Sequence, residues 1–203
     1  NRLYIIDNYT MVQLSAKAKE LIPKAKIISF KSWQKTHPEK VIAILISADN
    51  DRVYLSDKDL QKIQALLPHT SSLISIAKTL RDHATEIVDE ARKILLKQFP
   101  GITEFGGALY PPFRAEACWL DFWHFTRCVT YGIIGGSSQF TSSEGLGYMK
   151  LLYKELQVPL DAMVSGLESI KFASIKYIDS GQHQLVYPYF DHLIQKLSDF
   201  RNS

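Results

Sequence analysis

Apolar positions along this chain recur with helical spacing in nearly every stretch, and none alternates with period two for long enough to predict a strand. Gln13–Ile22 reads as a short amphipathic segment closed by Pro23. Pro38 suits the first turn of a helix running through Val41–Ala48. Ser56–Leu67 carries a cap signal, with Ser56 followed three residues later by Asp59, and Pro68 closes it. The longest run is Ser71–Phe99. Leu73, Ile76, Ala77, Leu80, Ala84, Ile87, Val88, Ala91, Ile94 and Leu95 share one face of it. Arg81, Asp82, Glu86, Glu90 and Lys93 fall mainly on the other. This pattern predicts a single helix of about 40 Å.

Pro100-Gly101 ends that run, and a loop over Gly101–Pro112 holds the breakers Gly106-Gly107 and Pro111-Pro112. A helix from Arg114 ends at Gly135-Gly136. Another starts at Ser142 or Ser143, Pro159 restarts the chain at a new angle, and Leu160–Tyr177 and Pro188–Phe200 follow. No internal repeat or low-complexity tract interrupts the pattern. The expected fold class is all-α, with about seven or eight helices of unequal length, better suited to globin-like packing than to an up-and-down bundle.

The helix from Arg114 to Gly136, RAEACWLDFWHFTRCVTYGIIGG, carries the candidate chemistry. Arg114, Cys118, Asp121, Phe125 and Cys128 follow one another at steps of four, three, four and three, which places them on one face. A thiol, a carboxylate and an arginine there point the same way among aromatics. Such a face suits a flat, charged, conjugated ligand held by a covalent bond and hydrogen bonds.

Composition narrows the rest. The chain has 203 residues, enough for one domain with a sizeable core, and residues 1–40 read as an N-terminal extension. Residues 1–10 precede Met11 and read as sequence upstream of a start or as carry-over residues. A net charge of +3 without a long basic run gives no support to nucleic-acid binding. The longest apolar runs, Val41–Ser47 and Val129–Ile134, are too short to span a bilayer. No secretion signal stands out. Two cysteines suggest a reducing compartment, and ten residues on one helix put them about 15 Å apart, too far for a disulfide. No His or Cys pair has zinc-ligand spacing, so no metal is expected. No nucleophile elbow, zincin or nucleotide-loop motif appears, and the expectation is that the protein is not an enzyme.

Six segments carry a family resemblance from residue 41 onward: ISADNDRVYLSDKDLQKI, ATEIVDEARKILLKQFPGIT, GGALYPPFRAEAC, DFWHFTRCVTYGIIGG, LLYKELQVPLDAMVSGLESIK and YPYFDHLIQKL. In register, they resemble the phycobiliproteins, the globin-like subunits of phycobilisomes, of the allophycocyanin and phycocyanin kind. The resemblance implies a globin-like phycobiliprotein domain over residues 41–203, with an N-terminal helical arm longer than usual. It implies that Cys118 forms a thioether with an open-chain tetrapyrrole and that Asp121 accepts hydrogen bonds from its inner pyrrole N–H groups. Tyr110 and Phe125 are further pigment contacts on this reading. It also implies that Asp49 pairs with Arg127, beside Tyr131, across a subunit contact. The expected partners are a second copy or another phycobiliprotein subunit, with linker proteins or a bilin lyase. The expected location is the cytoplasmic face of thylakoid membranes, without membrane insertion.

The chain departs from the family pattern at Leu120, where an Arg or Lys normally meets a propionate, at Ala108, where Asn often stands, and at Gly135-Gly136, where the family has Gly-Asp. Arg114, one turn before Cys118, is the substitute propionate contact. Two readings therefore stand side by side. In one the protein carries a bilin for light harvesting or excitation tuning. In the other Cys118 is a small buried hydrophobe, and a pigment-free domain serves phycobilisome assembly, attachment or turnover. His124 reads as a core or interfacial histidine in preference to a haem ligand, and Cys128 as core. Trp119, Phe122 and Trp123 read as core aromatics or a partner-binding face.

Overall fold

The computed structural model describes residues 14–202. The expectations for residues 1–10 and for Gln13 lie outside the described residues. Among these, nine α-helices form the fold: α1 Ala16–Leu21, α2 Glu39–Asp51, α3 Asp57–Leu66, α4 Ser71–Asp82, α5 Ala84–Gln98, α6 Pro112–Gly135, α7 Ser143–Glu155, α8 Leu160–Ile175 and α9 His183–Ser198. No strand forms among the described residues; Ile28 and Thr141 make one isolated bridge.

Several helix ends follow the local code. Ser56 Oγ accepts from the Asp59 N–H at 3.2 Å and donates to the Asp59 carboxylate at 2.6 Å, so side chain and backbone close the first turn of α3. Ser142 Oγ caps α7 by accepting from the Gly145 N–H at 2.9 Å. Pro112 opens α6, and Gly136 ends it in the left-handed conformation, φ 65°.

Two expectations fail, one for a tertiary reason and one for a local reason. The run Ser71–Phe99 is two helices, because His83 leaves helical geometry at φ −108° and ψ 16°. Its ring stacks on Tyr177 at 4.2 Å, a partner 94 residues away that no local pattern announces. The last helix begins at His183 and contains Pro188, because a 3-10 turn over Ser180–Gln182 starts the coil earlier. A proline there removes one backbone donor, a loss the helix absorbs by packing Val186, Tyr189, Phe190 and Leu193 into the core.

The centre of the molecule is α6, packed against α4, α5, α8 and α9. Close approach to α8 depends on Gly166, where an added Cβ would meet Phe122 Cζ at 1.9 Å. The segment before α2 belongs to the same core. Trp33 is 1% exposed, lies against Gly135, and donates its indole N–H to the Gln139 carbonyl at 2.8 Å. Val41 and Leu45 of α2 are wholly buried within this one chain.

Candidate functional site

The stripe predicted on α6 exists, but its members have separate fates. Cys118, Asp121, Phe125 and Cys128 are buried and Arg114 is half-buried. Helix α8 lays Met163 against Cys118, sulfur to sulfur at 3.3 Å, and α7 brings the Tyr153 hydroxyl to Asp121 Oδ2 at 3.2 Å. Asp121 Oδ1 is buried and has no hydrogen-bond partner among the described residues. Burial pushes the Asp121 carboxyl well above the usual carboxylate range, and the Tyr153 hydroxyl offsets only part of that. Burial, then the neighbouring Asp121, raises the Cys118 thiol as well, so it stays protonated near neutrality. Cys128 is pushed up to about 12, chiefly by burial, as befits a core thiol.

Arg114 directs its Nε and Nη2 donors to carbonyls. Its Nε–H donates to the Ala108 carbonyl at 3.0 Å, and its Nη2 to the Leu156 and Gln157 carbonyls at 3.0 and 2.9 Å. These bonds tie the loop before α6 to the end of α7. Carbonyls at the end of α7 thus compete for the guanidinium that the resemblance assigns to a propionate. Tyr110 is half-exposed and packs edge-on against Phe105 at 5.4 Å. Phe125 is a wholly buried core ring.

The second constellation is a closed network. Arg127 Nη1 donates to Asp49 Oδ1 at 3.0 Å and to the Tyr131 hydroxyl at 2.8 Å, while its Nε donates to His124 Nδ1 at 3.3 Å. Tyr131 in turn donates to the Val53 carbonyl. Sequence resemblance assigns the Asp49–Arg127 pair to a subunit contact; in this structure α2 folds back so that the pair closes within one chain. Arginine has only donors, so His124 Nδ1 is the acceptor and the neutral ring carries its proton on Nε2. Burial, then Arg127 and Arg52, push His124 down to about 4. A haem iron would need the Nε2 lone pair, which this tautomer withholds. No group of His, Cys, Asp and Glu among the described residues is arranged to hold a metal ion.

Leu120, Trp119 and Trp123 lie away from the Cys118 pair. With His124 they line an open cleft of about 630 Å³ between α6, the start of α5 and the end of α2. Tyr153 and Met163 are the site residues sequence reasoning missed. Their only local signal is helical periodicity, which says they are buried but not that they meet Cys118 and Asp121.

The comparisons give this all-α fold, built round one helix with a buried thiol and carboxylate one turn apart, its class. The family model described as phycobilisome protein matches residues 43–197. Allophycocyanin subunit alpha-B of Synechocystis sp. is 32% identical over 158 residues, 78% of this chain and 98% of that protein. The allophycocyanin alpha-B chain of Cyanidium caldarium is 31% identical over 76% of this chain and 95% of its own length. That of Pyropia yezoensis is 28% identical over 78% and 98%. The chain belongs to the phycobilisome protein family. It is a phycobilisome-type subunit of a bilin-binding, light-harvesting class whose members assemble with one another beside photosynthetic membranes. No helix among the described residues is long and apolar enough to cross a membrane.

Proposed function

We propose that this subunit carries an open-chain tetrapyrrole on Cys118, with Asp121 as the acceptor for its inner pyrrole N–H groups. One observation supports this most: Asp121 Oδ1 is a buried carboxylate oxygen with no hydrogen-bond partner among the described residues, one helical turn from a buried thiol. An orphaned acceptor in an apolar interior is costly unless a donor arrives. Convergent N–H groups meet that need, and the tetrapyrrole supplies the conjugated system that absorbs light. Asp121 fixes the pigment in one extended shape by accepting several bonds at one point. Tyr153 holds the other carboxylate oxygen in place. Cys118 anchors by thioether. Because Met163 rests on its sulfur and the thiol is protonated, loading requires α6 and α8 to part locally, and a bilin lyase is the partner suited to that step.

The experiment is co-expression with bilin-synthesis enzymes, with and without lyases, followed by a denaturing gel stained for zinc-induced fluorescence. A fluorescent band that disappears in Cys118→Ala supports attachment there. In Asp121→Asn the band should persist with weakened, blue-shifted absorbance, because anchoring survives while the extended shape loses its acceptor.

A second reading is favoured by the Cys118–Met163 contact and by the engagement of Arg114 with three carbonyls: a pigment-free module for phycobilisome assembly or turnover. A colourless protein under every lyase condition would select it.

A further inference from the structure

Charge is spread unevenly along the chain. Residues 14–40 hold seven lysines, two glutamates and no arginine, whereas residues 41–203 hold 16 basic and 18 acidic residues. The basic stretch precedes residue 43, where the family match begins, and it is folded onto the core. It runs antiparallel to α7 as one strip. Ser15 Oγ and Lys17 Nζ meet the Glu155 carboxylate at 2.7 and 3.5 Å, at the end of α7. Lys24 lies over the Tyr148 ring at 5.5 Å, and the Lys26 N–H donates to the Gly145 carbonyl at 3.3 Å. Farther on, the Ser29 N–H donates to the Phe140 carbonyl at 2.9 Å, and His37 Nε2 donates to the Gly135 carbonyl at 2.7 Å.

The strip has two sides. Ala18, Leu21, Ile22, Ile27, Phe30 and Trp33 are buried beneath it, while all seven of its lysines are exposed. Apolar anchors thus hold an array of cations outward on an ordered backbone. Lys17 pairs with Glu155, and Lys24 pairs with Glu20 at 2.6 Å. Lys19, Lys26, Lys31, Lys35 and Lys40 have no ion pair among the described residues. Glu39 and Glu144, the further carboxylates beside the strip, are too few to neutralise it. Leu151 lies three residues after Tyr148 and four before Glu155, so it shares the face of α7 that borders the strip, and it is 46% exposed.

Lysine is a compact point charge on a flexible stem and lacks the planar fork that arginine offers to a single carboxylate or phosphate. An array of lysines without arginine therefore suits a diffuse field of many anionic groups more than one fixed acceptor. An exposed leucine among the cations suits a charged layer that overlies an apolar one. We propose that the strip over residues 15–40 is a docking surface for anionic lipid headgroups. Clusters of about four to eight basic residues are enough for peripheral, salt-reversible binding of this kind. Such a surface is within reach of a protein whose family lies beside photosynthetic membranes. The strip shares no residue with the Cys118–Asp121 pair, and docking there requires no pigment.

The test is co-sedimentation of the full chain with vesicles of phosphatidylcholine containing about one third phosphatidylglycerol, beside vesicles of phosphatidylcholine alone. The expected result is binding to the anionic vesicles only. Raising salt from about 0.1 M to about 1 M shortens the screening length from about 10 Å to about 3 Å and should release the protein. Lys31→Gln combined with Lys35→Gln removes two unpaired cations of the strip and should weaken binding about 25-fold, roughly fivefold for each. Lys93→Gln combined with Lys97→Gln lowers the net charge equally through two exposed lysines of α5, and should weaken binding by about twofold or less. All four positions are exposed, so both variants should keep the far-ultraviolet circular dichroism of the wild type. Equal weakening by the two pairs marks attraction to net charge alone and overturns the docking surface. Equal binding to both kinds of vesicle overturns it as well. Release from vesicles by soluble glycerol phosphate at matched phosphate concentration marks a seat for one phosphate and also overturns it. No binding to anionic vesicles at low salt overturns it in favour of an acidic protein surface.

Discussion

Arg127 and Asp121 lie less than two turns apart on α6, both buried, and the fold treats their charges in opposite ways. Arg127 reaches Asp49, Tyr131 and His124, so its donors meet acceptors from the end of α2 and from its own helix. Asp121 receives one hydroxyl, and its second oxygen has no hydrogen-bond partner among the described residues. A satisfied buried charge holds a fold in one arrangement, whereas a half-satisfied one is a liability that a ligand can remove. Arg127 accordingly reads as architecture and Asp121 as a binding group.

The sharpest way to break this contrast is Asp49→Ala. It leaves the Arg127 guanidinium buried without its counter-ion and should cost about 3–5 kcal/mol in urea unfolding, with an unchanged slope. A loss below about 1 kcal/mol would show that the pair holds little together.

Acid probes the same network through His124. Its folded pKa, about 4, lies below the ordinary histidine value of 6.5, so the unfolded chain binds the extra proton first. Stability contributed by the neutral ring is full above pH 6.5 and drains as pH falls toward 4, by up to about 3 kcal/mol. Melting curves of wild type and His124→Phe across that window should diverge, the variant showing the flatter dependence. Parallel curves would remove His124 from the network.

Asp121 runs the other way. Its folded pKa is raised, so it favours the folded state below the unfolded carboxyl value of 3.8 and loses that advantage as pH climbs toward the raised value. At neutral pH, Asp121→Asn should therefore stabilise the pigment-free protein by about 1 kcal/mol while impairing the pigment's absorbance. Destabilisation of the pigment-free form would mean that Asp121 is structural after all, and the contrast with Arg127 would collapse.

Arg114→Ala gives the smallest effect, about 1 kcal/mol or less, because its bonds to carbonyls lie partly in water. Amide exchange should quicken in the 101–112 loop and at Gln157 with little change in α6. A shift in pigment absorbance without faster exchange would return Arg114 to the propionate.

Much of this was legible in the chain. Ser56 and Ser142 announce their helices, because a capping hydroxyl acts within three residues of itself. Spacing alone aligns Cys118, Asp121 and Phe125, and the six family-like segments in register carry the fold. The breaks were less visible. His83 interrupts a continuous apolar face through a stack on Tyr177, and Pro188 sits inside α9 although prolines usually begin helices.

What the sequence by itself determined is the period of each helix, most of their ends, and which face of α6 bears a thiol and a carboxylate, since all of these depend on neighbours within a turn or two. Only the tertiary structure decided that Met163 and Tyr153 close over that face, that Arg114 is held by carbonyls, that Asp49 meets Arg127 within one chain, and that the tryptophan side stays open. Those outcomes depend on where α2, α7 and α8 come to rest, and packing between segments distant in sequence has no local signature.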